Sequence, residues 1–149
     1  MQYFKPELLK SETDIEWENN GRAYRKKFLQ CCKYLPPNLV KILEVDAFHD
    51  ATIQTILFEK TPYKNKIKFN IIMDLRYKGR IGKLIHYGVQ EFRSTLNSLG
   101  SYIEFGDYLY GEILQDKNKF WTHDFLLFGD SEINIKCEKI EWLEQEQNN

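Results

Sequence analysis

The chain changes character at Ala47-Phe-His-Asp-Ala-Thr-Ile-Gln-Thr-Ile-Leu-Phe-Glu59. Before this stretch, apolar residues recur every three or four positions, which is the period of a helix. After it, the period falls to two and β-branched and aromatic residues become frequent, as in strands. The pair His49-Asp50 lies at the change of period. The sequence therefore predicts helices first and strands afterwards, which is the α+β class.

Two N-terminal helices are predicted to pack on the sheet. Thr13-Asp-Ile-Glu16 has the spacing of a capping box at a helix start. Pro36-Pro37 ends the first helix, because proline restricts the residue before it, and suits the first turn of a second helix ending near Asp46. The first helix carries an apolar stripe of Trp17, Gly21, Tyr24, Phe28, Cys31 or Cys32, and Leu35, and the second has Leu39, Ile42 and Leu43.

About six strands are predicted, joined mostly by hairpins into a mainly antiparallel sheet. In Lys66–Leu75, apolar residues alternate with lysines and other polar residues, as in a half-buried strand. Gly82 and Gly88 indicate bulges or a bend in the third strand, and Gly129-Asp130 predicts a tight hairpin. The predicted strands are 52–59, 66–75, 81–92, 108–115, 120–128 and 131–142.

The 149 residues are predicted to form one domain, with a helical part at 1–46, a sheet at 51–142 and a frayed tail at 143–149. Hydrophobic residues make up 42% of the chain, which is enough for a core without disulfides or metal. Three cysteines, two of them adjacent, indicate reduced thiols in a cytoplasmic protein. No apolar run has the length of a membrane span or a signal peptide, so no membrane partner is expected.

A net charge of -1 hides an asymmetry along the chain. Residues 60–103 carry nine Lys or Arg against two acidic residues, whereas 104–149 carry four Lys against eleven. The favoured interpretation is that neighbouring strands exchange surface charges. The alternative is that the two segments present separate patches to partners.

His49, Asp50 and His123 are the candidates for chemistry, since histidine and carboxylate bind metals. A metal-dependent hydrolase using these three residues is one alternative function. The preferred interpretation of His49-Asp50 is a structural corner, in which the carboxylate binds nearby backbone amides. No P-loop, dinucleotide fingerprint or Gly-x-Ser-x-Gly motif occurs. The sequence thus predicts no cofactor and disfavours an enzyme without excluding one.

Two surfaces are candidates for macromolecular partners. The basic segment 63–83, in which tyrosines stand among lysines and arginines, suggests a nucleic-acid-binding module, but a pI of about 6.3 speaks against it. A solvated edge hairpin explains the same residues. In the acidic third, Glu132, Glu138, Glu141 and Trp142 are candidate contacts to a basic protein, with an ordinary solvated strand as the alternative.

Short motifs along most of the chain resemble a bacterial family of small, uncharacterised proteins whose sheet begins with a His-Asp-headed strand. This family often has Asp at the position of Gly111. The matching residues are Met1, Tyr3, Phe4, Pro6, Glu7 and Leu8; Leu35-Pro36; His49, Asp50, Ala51 and Ile53; Tyr108-Leu-Tyr-Gly-Glu112; Leu126–Phe128; and Glu132-Ile-x-Ile-x-Cys137.

Some members of that family are similar to immunity proteins, which neutralise secreted toxins by direct binding. The resemblance implies an α+β fold, no cofactor and a cognate toxin as the protein partner, and it transfers no catalytic residue. The predicted function is therefore a non-enzymatic, cytoplasmic protein-binding domain. Whether it acts as a monomer or a homodimer stays open at this level.

Overall fold

The helices lie where the apolar stripe and the prolines predict them. In the computed structural model, which describes residues 2–3, 14–45, 48–95, 107–127 and 131–145, α1 spans Asp14–Cys31 and α2 spans Pro37–Val45. A 3-10 turn at Cys32–Tyr34 separates them. Thr13, the predicted capping residue, lies outside the described residues. Helix α1 continues through Gly21, where a Cβ would meet nothing within 4 Å.

The described residues form eight strands, where the sequence predicted six. The difference arises from two bends, at Gly88 and at Glu138, which divide the third and the last predicted strand in two. Gly88 has φ +61, a conformation that glycine adopts without strain, so the predicted bend is confirmed there. The strands are β1 (Ala51–Tyr63), β2 (Lys66–Tyr77), β3 (Arg80–Tyr87), β4 (Glu91–Thr95), β5 (Asp107–Gln115), β6 (Trp121–Leu127), β7 (Ser131–Cys137) and β8 (Lys139–Glu144).

All pairings between the strands are antiparallel, in the order β4-β7-β6-β5-β1-β2-β3-β8. Within the described residues, two residue pairs join β1 to β5, namely Ala51 with Tyr108 and Thr52 with Asp107. The sheet therefore divides into two four-stranded halves, β4-β7-β6-β5 and β1-β2-β3-β8. Helices followed by an antiparallel sheet confirm the α+β class.

Two bent strands connect the halves at the other corner. β3 continues through Gly88 into β4, and β7 continues through Glu138 into β8. The two run side by side: the Glu138 N–H donates to the Tyr87 carbonyl at 2.9 Å, and the Gln90 N–H to the Lys136 carbonyl at 2.7 Å. Each bent strand thus contributes hydrogen bonds to both halves, and the sheet folds over on itself.

The core lies between the inner faces of the halves. Alternation places Ile133, Ile135 and Cys137 inward on β7 and Glu132, Asn134 and Lys136 outward, as the sequence predicted. The other half supplies alternate residues of β2 and β3, and Trp142 is buried among them. The largest fully buried side chains include Trp142, Phe48, Phe125, Leu39, Met73 and Leu75.

Each helix covers an edge strand of one half of the sheet, α1 at β5 and α2 at β8. The N–H of Ile113 on β5 donates to the Tyr24 hydroxyl of α1 at 3.1 Å. The side-chain amide of Asn38 on α2 donates to the carbonyl of Trp142 on β8 at 2.7 Å. Both bonds satisfy backbone groups that the neighbouring strand does not reach, and so protect edges that would otherwise pair with other chains. Neither described helix is long and apolar enough to cross a membrane.

The predicted exchange of charge between strands is confirmed. Lys68 and Arg80 of the basic segment pair with Glu138 and Glu144 of the acidic segment, the second pair at 3.5 Å. The sheet also extends further than predicted, because β8 reaches Glu144 and the Gln145 N–H donates to the Ile81 carbonyl at 2.8 Å. Of the predicted frayed tail, residues 146–149 lie outside the described part of the chain.

Candidate functional site

The β1–β2 hairpin extends beyond the body of the protein. Residues 57–69 are all exposed except Lys68, which is half-buried. Within the described part of the chain, β1 pairs with β5 only at Ala51 and Thr52, and from there to its tip it pairs with β2 alone. Strands of twelve or thirteen residues are about twice the usual length, and the extra length forms this projection.

One face of the projection is apolar. Phe58 pairs with Ile71, Lys60 with Phe69, and Pro62 with Ile67, and directly opposed residues share a face of a sheet. Ile71 is buried in the core, so this face continues the inner face of the sheet outward. Three large side chains on it are accessible: Ile67 is 62% exposed, Phe58 57% and Phe69 48%. We call Phe58, Lys60, Pro62, Ile67 and Phe69 the hairpin face.

Contacts at the root hold the projection in place. The Phe58 ring packs edge-on against Phe92 of β4, with centroids 5.0 Å apart. Asn70 accepts the Gly88 N–H at 3.1 Å and donates to the Thr61 hydroxyl at 2.9 Å. Because these bonds join the hairpin to the bend between β3 and β4, the hairpin face is held at a defined orientation.

The hairpin tip is positively charged. Lys60, Lys64 and Lys66 have no carboxylate partner among the described residues, while Lys68 is paired with Glu138. The Lys60 ammonium lies 5.9 Å from the Phe69 ring centroid on the hairpin face. The projection therefore combines accessible apolar area with unpaired positive charge, a combination that suits an acidic partner.

The basic residues predicted for nucleic-acid binding do not form one patch. Lys83 pairs with Asp74 at 2.9 Å, and Arg80 and Lys68 pair with glutamates of the acidic segment. These pairs neutralise three of the seven cations. Tyr77, one of the three tyrosines considered for base stacking, is only 5% exposed. Tyr63 at the hairpin tip is 49% exposed, so nucleic-acid binding by this segment stays a prediction.

His49 and Asp50 lie in a tight turn that leads into β1. The Ala51 N–H donates to the Phe48 carbonyl at 2.8 Å, and Phe48 and Asp50 both have φ +66. The Asp50 carboxylate contacts the His49 ring nitrogen Nδ1 at 2.9 Å. The acceptor for the Ala51 amide is thus the Phe48 backbone carbonyl. The sequence had predicted that the Asp50 carboxylate binds backbone amides of this kind.

His123 lies in the core, where it contacts His86 of the opposite half. His86 Nε2 and His123 Nδ1 are 2.8 Å apart, the rings are stacked at 5.1 Å, and both residues are fully buried. Burial lowers the pKa of His86 to about 3 and lowers that of His123 well below its usual range. The described residues contain no group of three or more potential metal ligands, so the structure does not assemble His49, Asp50 and His123 into such a site.

The four residues considered for an acidic docking surface are dispersed. Trp142 is 2% exposed and packs against Phe48 at 5.2 Å between ring centroids, so its ring is in the core rather than on the surface. Glu138 pairs with Lys68, and Glu141 pairs with Lys139, which lowers the pKa of the Glu141 carboxyl. Glu132 is half-buried on the outward side of β7.

The sequence did not predict the hairpin face, because the alternation of apolar and polar residues in a strand is the same whether its apolar side is buried or exposed. The length of the alternating run was the one signal that pointed to it.

Comparison with models of known protein families and with characterised proteins finds no match for this chain. The resemblance to a bacterial family therefore stays a prediction.

Proposed function

We propose that the protein is a non-enzymatic protein-binding domain, and that its partner docks on the hairpin face. The single observation that carries this proposal is the exposure of Phe58, Ile67 and Phe69 together on one side of a held, projecting hairpin. Contiguous exposed apolar side chains on a protein surface mark interaction sites. Toxin neutralisation in the cytoplasm by direct binding is the specific form of this function that the family resemblance supports.

The partner surface is expected to be acidic. Lys60, Lys64 and Lys66 stand around the apolar side chains without carboxylate partners among the described residues, so carboxylates on the partner gain attraction without breaking existing pairs. Two copies of this hairpin placed face to face would bring like charges together. The proposal therefore commits to a different, acidic protein rather than to a second copy.

The free edge of β1 offers the main-chain part of the contact. From Gln54 to Tyr63, β1 has a strand neighbour on one side only within the described chain. An extended segment of the partner can add to this edge, with main-chain hydrogen bonds giving affinity and the apolar side chains giving specificity.

The test is binding of the purified acidic partner that co-purifies with the protein, for instance the product of an adjacent toxin gene. Ile67→Ser with Phe69→Ser should weaken binding at least about tenfold, as loss of central apolar contacts does. The matched control is Leu143→Ser, which removes an apolar side chain of similar exposure, 50%, outside the hairpin. Unchanged affinity in the hairpin variant, with normal stability, would reject this surface.

Charge-reversal variants distinguish binding at the hairpin from binding at the acidic segment. Lys64→Glu with Lys66→Glu should slow association and reduce its salt dependence. Glu132→Lys is the reciprocal change, and it should leave an acidic partner's association unchanged or faster. A slower rate for Glu132→Lys alone would move the site to the acidic surface. A stable dimer of the protein by itself in sedimentation, abolished by the serine variants, would replace the acidic partner with a second copy.

A further inference from the structure

The open edge of β1 presents the main-chain groups of alternate residues. The Val89 N–H donates to the Phe69 carbonyl at 2.7 Å, so the main chain of Phe69 points towards β3 and away from β1. Phe69 lies opposite Lys60, and an antiparallel pair whose groups point apart exchanges no hydrogen bonds. The N–H and C=O of Lys60 therefore point to the open edge. Those of Phe58 and Ile56 do the same, because the direction alternates along a regular strand.

Pro62 agrees with this alternation and limits the open part of the edge. The alternation places its missing N–H on the open side, where the ladder with β2 loses no bond. At the other end, the register with β2 shifts between Ile53 and Thr55, which marks a bulge. Prolines and bulges both stop strands from adding to an edge. Only the short stretch between them is left open to a further strand within the described chain.

The side chains of the open stretch lie on the same side as the hairpin face. Phe58 and Lys60 belong to that face, and the half-buried Ile56 lies at its root. The Lys60 ammonium lies 5.9 Å from the Phe69 ring centroid and has no carboxylate partner in the part of the chain that the structure describes. Directly opposed residues share a face of a sheet, so an added strand would set alternate side chains against these three residues.

We propose that the partner adds one short antiparallel strand to this edge, and that this strand has the sequence pattern acidic-x-apolar-x-apolar. The inference rests on the proposed function, because it specifies how the acidic partner meets the hairpin face. The acidic side chain lies opposite Lys60, and the apolar side chains lie opposite Phe58 and Ile56. The orientation follows from the pairing of the described strands, which is antiparallel throughout and is the more stable kind per residue.

Amide hydrogen exchange of the protein alone tests whether the edge is open. The N–H groups of Ile56, Phe58 and Lys60 should exchange rapidly, whereas those of Leu57 and Glu59, which point to β2, should be protected. Protection of all five would show that another part of this chain or a second copy already covers the edge. Equal rates at the five positions would therefore overturn the proposal.

The binding probe is the end-blocked peptide Thr-Thr-Glu-Thr-Ile-Thr-Ile-Thr at millimolar concentration. It should slow exchange at the three edge amides and shift their nuclear magnetic resonance signals. Methylating the nitrogen of its first isoleucine, which lies opposite Phe58, removes a donor to β1 and should abolish binding. Methylating the next threonine, whose N–H points away from β1, should leave binding in place. Equal loss from both peptides would overturn the pairing.

Lys60→Glu tests the acidic position of the pattern. This variant should bind the glutamate peptide about two- to fivefold more weakly and should prefer a peptide with lysine in place of glutamate. The matched control Lys64→Glu changes an unpaired lysine at the tip, outside the open stretch, and should keep the preference for glutamate. Tighter binding of the reversed pattern, apolar-x-apolar-x-acidic, would overturn the antiparallel orientation.

The same measurements with the full acidic partner separate this inference from the proposed function. Ile67→Ser with Phe69→Ser removes apolar side chains of β2 and no main-chain group of β1. If these changes weaken partner binding while the three edge amides stay unprotected in the complex, the strand inference is wrong and the hairpin face stands. If the serine variant binds the partner normally, the proposed function is wrong.

Discussion

At the scale of single residues, the backbone conformation at position 50 explains the presence of an aspartate there better than the bonds of its side chain do. Asp50 has φ +66, a region that Asp tolerates and alanine does not. Asp50→Ala should therefore lower the free energy of unfolding by about 1 kcal/mol, measured by urea denaturation. Asp50→Gly, which relieves the backbone and also deletes the carboxylate, should cause no loss. A loss in both variants would instead assign the effect to the contact with His49.

The buried histidine pair predicts a dependence of stability on pH. Folding depresses the pKa of both rings below the unfolded value of 6.5, so their contribution is complete above pH 6.5 and is lost as the pH falls towards the folded pKa, about 3 for His86. His86 alone should lower the free energy of unfolding by up to about 1.4 kcal/mol per pH unit in that window.

Replacing both rings together tests this assignment. His86→Leu with His123→Leu removes the donor and the acceptor of the bond between the two rings at once. Unfolding curves between pH 7 and pH 5 should then be nearly independent of pH, whereas His49→Gln, which changes the half-exposed histidine, should keep most of the slope. Persistence of the full slope in the double variant would show that other groups cause it.

At the scale of elements, the bend at Gly88 sets the point at which the chain passes from β3 in one half to β4 in the other. Its φ is +61, and a Cβ there would collide with the Glu138 side chain. Gly88→Ala should lower stability by about 1–2 kcal/mol and weaken the pair between Glu138 and Lys68. Gly79→Ala, at φ +76 with open space around it, should show only the backbone part of that loss.

Gly21→Ala is a control that should raise the stability of the protein instead of lowering it. The residue lies inside α1 with nothing within 4 Å of an added Cβ, so the change should stabilise the protein by up to about 1 kcal/mol. Thermal unfolding of the three alanine variants should thus place Gly21→Ala above the parent and Gly88→Ala lowest. A neutral Gly88→Ala would mean that the bend does not depend on glycine.

The elements themselves were predictable because their signals are local. Pro36-Pro37 predicted the end of the first helix, and alternation in Lys66–Leu75 and in Ser131–Trp142 predicted strands and their inward sides. The predicted number of strands was too low because a bend does not interrupt the alternation of apolar and polar residues on either side of it. The meeting of His86 with His123 could not be predicted, since it depends on residues distant in sequence that only the strand order brings together.

At the scale of the whole molecule, β8 completes one half of the sheet although it is the last of the described strands. It pairs with β3 from Gly82 to Tyr87 and supplies Trp142 to the core. A chain that ends at Cys137 should therefore lose cooperative unfolding and expose apolar surface, measured by calorimetry and dye binding. The matched control ends at Gln145 and should unfold as the full chain does. Cooperative unfolding of the shorter chain would contradict this role of β8.

The crossing of the two bent strands has a consequence for synthesis on the ribosome. Helix α2 and strands β1 to β3 emerge early, yet β3 keeps one side unpaired until residues 139–144 leave the exit tunnel. Neither half can close first, because each needs a segment of both bent strands. The nascent protein therefore carries an open strand edge for more than fifty residues of translation, a period in which a chaperone that shields such edges would have its largest effect on yield.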